Sequence, residues 1–297
     1  MSLTNARLGS WIVRELIGMG GTAEVYRADN VDGGPPVVIK VFHSARVADP
    51  EQFKNFRNEF QILERRLHPG IPVGRRFSNI AGRPCIVMDY LDGESMGKVL
   101  SQKAKQVLPL QPLRLLADLC DIVAAIHKAQ LIHNDIKLEN CILRPNGALA
   151  LVDFGSVREN TKVNFLGKLF KRTETKVFGT PTYLAPEILA GGQPTYQSDL
   201  YALGVCSFRL LTGNYPFEAK TMTTRIRANV NQSPPSLVSR IPSIPAGPAA
   251  VLDKCLAKLP AERTASIELV QAAVAKLQHR TKSPGVESSS HQLEQLG

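Results

Sequence analysis

The residues best suited to chemistry lie in one short stretch, His-Asn-Asp-Ile-Lys-Leu-Glu-Asn, at positions 133–140. Asp135 can accept a proton, Lys137 places an ammonium two residues further on, and Asn140 offers an amide oxygen five residues further on. A carboxylate, an amine and an amide at these offsets suit a loop that binds a metal–nucleotide complex. Asn134, between the histidine and the aspartate, adds no charge to this set.

A second carboxylate comes from Asp153, which ends a short apolar run and is followed by Phe154 and Gly155. Together with Asn140, it would supply the hard oxygen donors that Mg²⁺ prefers, with Mn²⁺ as an alternative. Asp135 would then remain available to accept a proton from a hydroxyl group.

Two features in the first forty residues add phosphate-binding chemistry. The turn Gly18-Met19-Gly20-Gly21-Thr22-Ala23 would let the backbone approach a phosphate closely, although such a turn can equally be a plain β-hairpin. Lys40 lies in an apolar run, where it is either an edge-strand residue facing solvent or a buried charge that needs a partner. Glu59, on the apolar face of the following helix, is the candidate partner.

The elements that must position these residues divide the chain into two parts. Up to about residue 90 the pattern is typical of strands, interrupted by one helix that begins at Asp49-Pro50-Glu51 and stops at His68-Pro69-Gly70. From about residue 95 onward helical periodicity dominates. Its clearest segments are residues 113–129, 199–212 and about 266–278. The sequence therefore predicts an α+β fold with a β-rich part before a larger helical part.

Composition narrows the class of protein. No apolar run is long enough to span a membrane, and the N-terminus lacks the apolar core of a signal peptide, which predicts a cytoplasmic protein. The five cysteines are scattered, which predicts buried free thiols rather than a zinc site or disulfides. The net charge of +10 invites nucleic-acid binding, but no recognition pattern accompanies the basic residues. Nucleic acid is therefore not expected as the main partner.

Taken in order, these segments resemble the eukaryotic-type protein kinases, and among them the bacterial serine/threonine kinases. The motifs that carry the resemblance are GxGxxA (18–23), VIK (38–40), Glu59, HxDxKxxN (133–140), DFG (153–155), GTPTYLAPE (179–187) and SDLYALG (198–204). The family also pairs an arginine with the glutamate of APE, which here predicts a pair between Arg263 and Glu187.

The resemblance implies a two-lobed protein kinase fold over about residues 9–279. Its expected parts are an N-lobe over about 9–88, a hinge over about 89–92 and a C-lobe over about 93–279. Residues 1–8 would form an N-terminal extension, and the polar, Ser-rich residues 280–297 would form a disordered tail.

The resemblance also implies a role for each matching residue in the catalytic set. Lys40 would hold the α- and β-phosphates of ATP and pair with Glu59, while Asp135 would orient the acceptor hydroxyl and take its proton. Lys137 would neutralise the transferring phosphoryl group, and a lysine at this offset is typical of kinases that act on Ser or Thr. The implied metal ligands are Asn140 and Asp153.

The implied nucleotide pocket lies between the two lobes. The glycine-rich turn would cover the phosphates, the hinge would hydrogen-bond adenine, and apolar side chains would enclose the ring with Met88 at the back. The implied ATP-contacting positions are Ile17, Gly18, Met19, Gly20, Gly21, Thr22, Ala23, Val25, Val38, Lys40, Met88, Asp89, Tyr90, Leu91 and Ile142. Leu63, Phe154 and His133 resemble the stacked apolar column that forms only in the active state.

Three positions depart from the family pattern. Ala23 replaces the third glycine of the turn, a change that is common in the family, and Val38 places two extra methyl groups over the adenine site. Asn134 replaces an arginine, so the motif reads HND instead of HRD. In relatives, that arginine receives the phosphate of the activation segment.

A neutral Asn134 leaves no cation awaiting neutralisation, so activity is expected to depend only weakly on phosphate in the activation segment. The candidate autophosphorylation sites are Thr173 and Thr175, which lie in a basic, polar stretch. The alternative is that Asn134 is a drifted position and that the basic residues in 171–176 do the same work.

The sequence as a whole predicts a Ser/Thr protein kinase that transfers the γ-phosphoryl group of ATP to protein substrates. The alternative is an ATP-binding pseudokinase scaffold, but such proteins usually lose one of the residues that correspond to Lys40, Asp135 and Asp153, and all three are present. A small-molecule kinase is disfavoured because residues 179–187 match a peptide-docking segment.

Overall fold

The computed structural model describes residues 3–43, 49–102, 111–160, 181–219 and 221–282 of the 297-residue chain. The strands are β1 (Arg7–Leu8), β2 (Trp11–Met19), β3 (Ala23–Asn30), β4 (Val37–Phe42), β5 (Gly74–Ile80), β6 (Arg83–Asp89), β7 (Glu94–Ser95), β8 (Leu131–Ile132), β9 (Cys141–Leu143), β10 (Leu149–Leu151) and β11 (Arg158–Glu159). The helices are α1 (Pro50–Glu64), α2 (Met96–Gln102), α3 (Pro112–Lys128), α4 (Pro186–Leu189), α5 (Tyr196–Thr212), α6 (Met222–Asn231), α7 (Leu237–Arg240), α8 (Ala246–Lys254) and α9 (Ile267–Lys282). The α+β architecture predicted from the sequence is confirmed.

An antiparallel sheet in the order β1-β2-β3-β4-β6-β5 builds the first part of the chain, here called the N-lobe. β4 is a run of β-branched and aromatic residues, which favours a buried strand. Within it, Lys40 pairs with Val25 on one side and with Ile86 on the other, and only 9% of the lysine is exposed. Lys40 is therefore a buried charge on an interior strand, and the solvent-facing alternative is wrong.

Helix α1 packs against this sheet and carries Glu59. Its first turn is capped by Asp49, whose carboxylate accepts hydrogen bonds from the backbone N–H groups of Glu51 and Gln52, and Pro50 occupies the first helical position. The buried face presents Phe56 and Glu59 to the sheet. A carboxylate on an otherwise apolar face needs a buried cation as a partner, which β4 provides.

Helix α1 ends at Glu64, several residues before the predicted stop at His68-Pro69-Gly70. Arg66 adopts a left-handed backbone conformation with φ +49°, which cannot continue a right-handed helix. Leu67 nevertheless packs on the apolar core from the loop that follows. The apolar spacing of the sequence thus correctly indicated that Leu67 packs on the core, where it is partly buried, but it overestimated the length of the helix.

Residues 3–8 are part of the N-lobe instead of an extension outside it. Leu3 and Leu8 are buried in an apolar cluster with Val13. The backbone N–H of Asn5 donates to the Val13 carbonyl, and β1 pairs with β2. The sequence assignment of residues 1–8 is corrected for these positions because two leucines are too few to produce a recognisable strand period.

The helical part, here called the C-lobe, is organised around α3 and α5. α5 is buried along nearly its whole length and is bounded by a capping box between Thr195 and Ser198 at its start. It ends at Gly213, whose φ of +78° stops the helix. The predicted helix over 199–212 is confirmed, with one additional turn at its N-terminal end.

The last helix, α9, packs antiparallel to α3, with Gln271 bonded to Asp121 and Gln278 bonded to the Leu113 carbonyl. It extends to Lys282, so residues 280–282 are helical and do not belong to the predicted disordered tail. Residues 283–297 of that tail lie outside the described residues. Within the described ranges, no helix combines the length and the apolar character needed to cross a membrane.

The cysteines follow the prediction from composition. All five are free, and all five side chains are buried. Burial raises the pKa of the thiols, which keeps them protonated and unreactive.

Candidate active site

Lys40 stands at the centre of a buried ion-pair cluster between the lobes. Its Nζ lies 2.7 and 2.9 Å from the two carboxylate oxygens of Glu59 and 3.0 Å from Oδ1 of Asp153. Burial alone would lower the pKa of Lys40, but the two carboxylates raise it above its ordinary value. The predicted Lys40–Glu59 pair is thus present, and the same ammonium also reaches the aspartate of DFG.

Asp153 remains ionised in this arrangement. The charge of Lys40 lowers the pKa of Asp153 to about 2, although burial opposes the change. Asp153 has a positive φ of +68°, a region that Asp tolerates better than most residues, and its side chain is about half exposed. The carboxylate is therefore charged and partly accessible at the mouth of the cleft.

In the loop over residues 133–140, an amine and an amide both contact one oxygen of the Asp135 carboxylate. Oδ2 of Asp135 lies 2.7 Å from Nζ of Lys137 and 3.0 Å from Nδ2 of Asn140. The Asn140 amide also donates to the Asp135 carbonyl oxygen at 3.0 Å. Asn140 reaches Asp135, five residues earlier in the chain, because a 3₁₀ turn at Leu138–Asn140 folds the asparagine back towards the aspartate.

A buried aspartate that sequence reasoning left without a role fixes this loop. Asp199, on α5, accepts hydrogen bonds at 2.8 Å from the backbone N–H groups of both His133 and Asn134. Its Oδ2 also lies 3.0 Å from Nε2 of His127. Only 1% of Asp199 is exposed. The available signal was weak, because Asp199 lies in the first turn of the apolar helix α5, where an acidic residue is common, and only its burial shows that it must have donors.

Asn134 adopts a left-handed conformation with φ +63°. Asn is among the few non-glycine residues that visit this region at low cost, whereas most L-residues are strained there. The half-buried Asn134 contributes to a cavity of about 130 Å³ with Lys40, Asp153 and Arg158. Local backbone conformation therefore gives a physical reason for asparagine at this position in addition to the absence of charge.

The three residues of the apolar column implied by the sequence are all buried, and two of them are in contact. Leu63 of α1, Phe154 of DFG and His133 of the loop are each at most 1% exposed. The Phe154 ring meets the His133 ring edge-on, with centroids 4.9 Å apart. Burial lowers the pKa of His133, so the ring is neutral and packs as an aromatic group.

The glycine-rich turn connects β2 to β3. Within it, the Gly20 N–H donates to the Ala23 carbonyl at 2.9 Å, and the Gly20 carbonyl lies 2.9 Å from Nε2 of His43. Ala23 is buried, so the methyl group that replaces the third glycine has space, while Met19 projects to solvent at the tip. The turn is a hairpin in form, and Thr22 at its end lines the same cavity as Lys40 and Asp153.

The predicted adenine-site residues come from both lobes. Val25 and Val38 lie on β3 and β4, and Val38 pairs with Met88, which is nearly buried. Ile142 comes from β9, and its side chain lies close beneath Gly93, where a Cβ atom would approach the Leu143 carbonyl at 2.3 Å. Gly93 has φ +142°, so only glycine fits the exit of the hinge.

The hinge residues follow directly from β6. The Asp89 N–H donates to the Val73 carbonyl at 3.0 Å, and Oδ1 of Asp89 lies 2.5 Å from Nε of Arg75. Tyr90 lies beside the guanidinium of Arg27, 5.6 Å from the ring centroid. The connection between the lobes is thus held on the N-lobe side by an ion pair and by a backbone hydrogen bond.

The donor set of the cleft fits a hard divalent cation. Asp153 supplies a charged carboxylate, and Asn140 is held next to it because the Val152 N–H donates to the Asn140 carbonyl at 2.9 Å. A carboxylate and an amide are too few to enclose an ion without the substrate, which suits a cation that is shared with phosphate oxygens. Among the described residues, no group of three His, Cys, Asp or Glu side chains could hold a metal by itself.

Two further sequence predictions concern the segment after DFG. The predicted Arg263–Glu187 pair is confirmed, with two parallel contacts of 2.7 and 2.6 Å. The Arg263 side chain is fully buried and also donates to backbone carbonyls. The candidate phosphorylation sites Thr173 and Thr175 lie outside the described residues.

Comparison with known families and proteins agrees with this geometry. The protein kinase domain family matches residues 11–275. The chain is 31% identical over 281 residues to the serine/threonine-protein kinase Pkn1 of Myxococcus xanthus, covering 92% of this chain and 39% of the relative. It is 28% identical to PrkC of Bacillus subtilis (90% and 40% covered) and 31% identical to PksC of Streptomyces coelicolor (89% and 48% covered), both also serine/threonine-protein kinases. The chain therefore spans less than half the length of these relatives.

Proposed function

The chain belongs to the protein kinase family, and from this premise we propose that it transfers the γ-phosphoryl group of ATP to Ser or Thr hydroxyl groups of proteins. The observation that carries the proposal is the cluster in which Lys40 contacts both Glu59 and Asp153. This cluster joins the two lobes through charges that a folded protein tolerates only when they are paired. Asp135, which contacts Lys137 and Asn140, supplies the base.

In the proposed reaction, the acceptor oxygen forms a bond to the γ-phosphorus while the bond to the β–γ bridging oxygen breaks, and ADP leaves. Asp135 takes the proton of the acceptor hydroxyl, and the Lys137 ammonium beside it offsets the charge of the transferring group. Lys40 holds the α- and β-phosphates. Positioning and charge neutralisation, in place of covalent catalysis, are the contribution of these side chains.

Protein kinases use ATP with a divalent metal, and we assign Mg²⁺ to this site, with Mn²⁺ as an alternative. Asn140 and Asp153 would hold the ion, which would neutralise phosphate charge. The charged, partly exposed carboxylate of Asp153 supports this assignment because it presents an oxygen to the cleft.

We place the acceptor specificity at Ser and Thr and the location of the protein in the cytoplasm. The names of the relatives and the presence of Lys137 support the first, and the five free buried thiols suit a reducing compartment. The pseudokinase alternative gains no support, because Lys40, Asp135 and Asp153 are all present. Lys40 contacts Asp153, and Asp135 contacts Lys137.

We also propose that activity depends only weakly on phosphorylation of Thr173 or Thr175. Asp199 holds the loop that carries Asp135 by accepting hydrogen bonds from its backbone N–H groups. Asn134 is neutral, so it adds no cation that a phosphate would have to neutralise. Under the alternative, Asn134 is a drifted position and the basic residues in 171–176, which lie outside the described residues, do the same work.

The first test is transfer of labelled phosphate from ATP to a generic Ser/Thr protein in the presence of Mg²⁺, with the Asp153→Ala variant as the negative control. Transfer by the wild type and a loss of about 10³-fold in the variant are expected, since each 1.36 kcal/mol of lost stabilisation lowers the rate tenfold. Near-normal transfer by Asp153→Ala would contradict the assignment.

The second test compares phosphatase-treated wild type with the double variant Thr173→Ala/Thr175→Ala. Initial rates within about threefold of each other are expected, which corresponds to less than about 0.7 kcal/mol. A loss beyond about tenfold would show that the phosphate matters and that Asn134 does not release the enzyme from it.

A further inference from the structure

A second cavity, of about 360 Å³, lies behind the hinge and shares no lining residue with the cavity at Lys40. Its size is in the range of small-molecule sites. Its wall is assembled from the loop before β4, the α1–β5 loop, the start of β5, the hinge and the start of the β9–β10 turn. We call it the hinge-back cavity. None of the residues assigned to catalysis lines it, but three hinge residues of the expected nucleotide pocket do, Asp89, Tyr90 and Leu91.

The charge of the hinge-back cavity is strongly positive. Arg66, Arg75 and Arg144 line it, against the single carboxylate of Asp89. Asp89 is bonded to Arg75 at 2.5 Å and is also approached by the Val73 N–H at 3.4 Å. Among the described residues, Arg66 and Arg144 form no ion pair. Three guanidinium groups and one carboxylate leave a net charge of two, which matches the charge of a phosphate monoester near neutral pH.

One of these guanidinium groups has a buried donor without an acceptor. Nε of Arg144 is inaccessible to solvent and makes no hydrogen bond. The Arg144 backbone is fixed, since its N–H donates to the Ala148 carbonyl and its carbonyl accepts from the Gly147 N–H, both at 2.9 Å. A buried unpaired donor is unfavourable, and donors of this kind are normally satisfied by a partner or a ligand.

A neutral donor adds to the set. Nδ1 of His68 accepts a hydrogen bond from the Gly70 N–H at 3.0 Å, so the proton of the neutral ring is on Nε2, which can donate. The remaining wall is apolar and includes Pro36, Pro69 and Ile71. A ligand that fits both surfaces carries an anionic group at one end and a compact apolar body at the other.

We propose that the hinge-back cavity binds an organic phosphate monoester, with the phosphate held by Arg66, Arg75 and Arg144. Guanidinium groups bind phosphate through paired, charge-assisted hydrogen bonds. The phosphate also competes with Asp89 for Arg75. Because Asp89 starts the hinge, occupancy changes the affinity for ATP, and ATP changes the affinity for the monoester by the same factor.

The test uses calorimetric titration of phenyl phosphate into the full chain, first alone and then with a non-hydrolysable ATP analogue and Mg²⁺ filling the nucleotide cleft. Wild type is compared with Arg66→Asn, Arg144→Gln and the control Arg76→Gln. Arg76 is exposed, adjoins Arg75 in sequence, and points its guanidinium at Gly9 outside the cavity. Arg66→Asn keeps a residue that tolerates the left-handed backbone, so it remains decisive if Arg144→Gln does not fold.

We expect wild type and Arg76→Gln to bind equally, and each cavity variant to bind about tenfold more weakly or worse, the loss of one charge-assisted contact. If a phosphoserine peptide binds and is weakened by the same variants, the natural ligand is a phosphorylated residue of a protein. If the peptide does not bind, the natural ligand is a small molecule. Equal affinity in all four proteins, an affinity that the ATP analogue either leaves unchanged or abolishes, or equal binding of uncharged phenol would overturn the proposal. The outcome does not depend on catalytic activity.

Discussion

Replacing Asp199 by Asn isolates the hydrogen bonds that hold the catalytic loop. In the native structure, Oδ1 accepts the Asn134 N–H while Oδ2 accepts the His133 N–H and lies 3.0 Å from His127 Nε2. An amide has only one acceptor oxygen, so its best orientation keeps the Oδ2 contacts and turns an NH₂ group towards the Asn134 N–H. One charge-assisted hydrogen bond is then lost, and two donors face each other at a partly buried position.

The cost is about 2–3 kcal/mol, the value for losing a buried hydrogen bond to a charged group. Since small domains have about 5–15 kcal/mol of stability, the variant should still fold. Because the lost bond anchors residue 134, directly before Asp135, we expect kcat to fall by about tenfold or more. The KM for ATP should change by less than about threefold, since Lys40 and Glu59 are not touched.

The assay combines urea unfolding with steady-state phosphate transfer. The matched control is Asp121→Asn, an exposed aspartate whose carboxylate accepts a hydrogen bond from Gln271, for which we expect a change within about 0.5 kcal/mol. An Asp199→Asn protein with wild-type stability and wild-type kcat would refute the anchoring role. A rise in KM for ATP with kcat unchanged would also refute it.

Three more predictions follow from individual contacts. Asn134→Ala should lower the free energy of unfolding by about 1 kcal/mol, and Asn134→Gly should not, because φ is +63°; urea unfolding of both variants checks this. The pKa of Asp153 is lowered to about 2, so its ionisation stabilises the fold above about pH 4 and this contribution fades as pH falls towards 2. The stability difference between wild type and Asp153→Asn should therefore shrink between about pH 5 and pH 3, and a constant difference would contradict the Lys40 contact. Arg263→Lys should cost about 3 kcal/mol, because a point charge cannot reproduce the two contacts to Glu187 or the bonds to three carbonyl groups, and a thermal shift within error of wild type would contradict this.

The residues alone leave Lys40 open to a solvent-facing or a buried position, and the family resemblance is what pairs it with Glu59. Its contact with Asp153 has no counterpart among the sequence predictions. A lysine in a β-branched run and a glutamate on an apolar helix face are each improbable alone, and each satisfies the other. The same reasoning applied to Asp199 would have predicted buried donors, but not which ones. Those donors are backbone N–H groups about 65 residues away in the chain, and backbone groups have no signature in a sequence.

Local backbone conformation accounts for the other differences. Helix α1 ends where the backbone of Arg66 adopts the left-handed conformation. An arginine in the sequence does not indicate that conformation. The sequence shows only that Asn134 is neutral where relatives carry an arginine. The left-handed φ of Asn134 gives a second reason for asparagine at this position. The hinge-back cavity draws its wall from five separate segments, so only the folded chain brings its arginines together.

The most direct test of the central claim is the initial rate of phosphate transfer from labelled ATP to a Ser/Thr protein, measured side by side for wild type and Asp135→Asn with Mg²⁺. The Asp135 carboxylate contacts Lys137 and Asn140 and lies apart from the Lys40 cluster, so the variant should bind ATP normally. We predict clear transfer by the wild type and a rate about 10³-fold lower for the variant. A wild type that binds ATP but transfers no phosphate, or a variant that transfers at the wild-type rate, would contradict the proposed catalytic role of this loop.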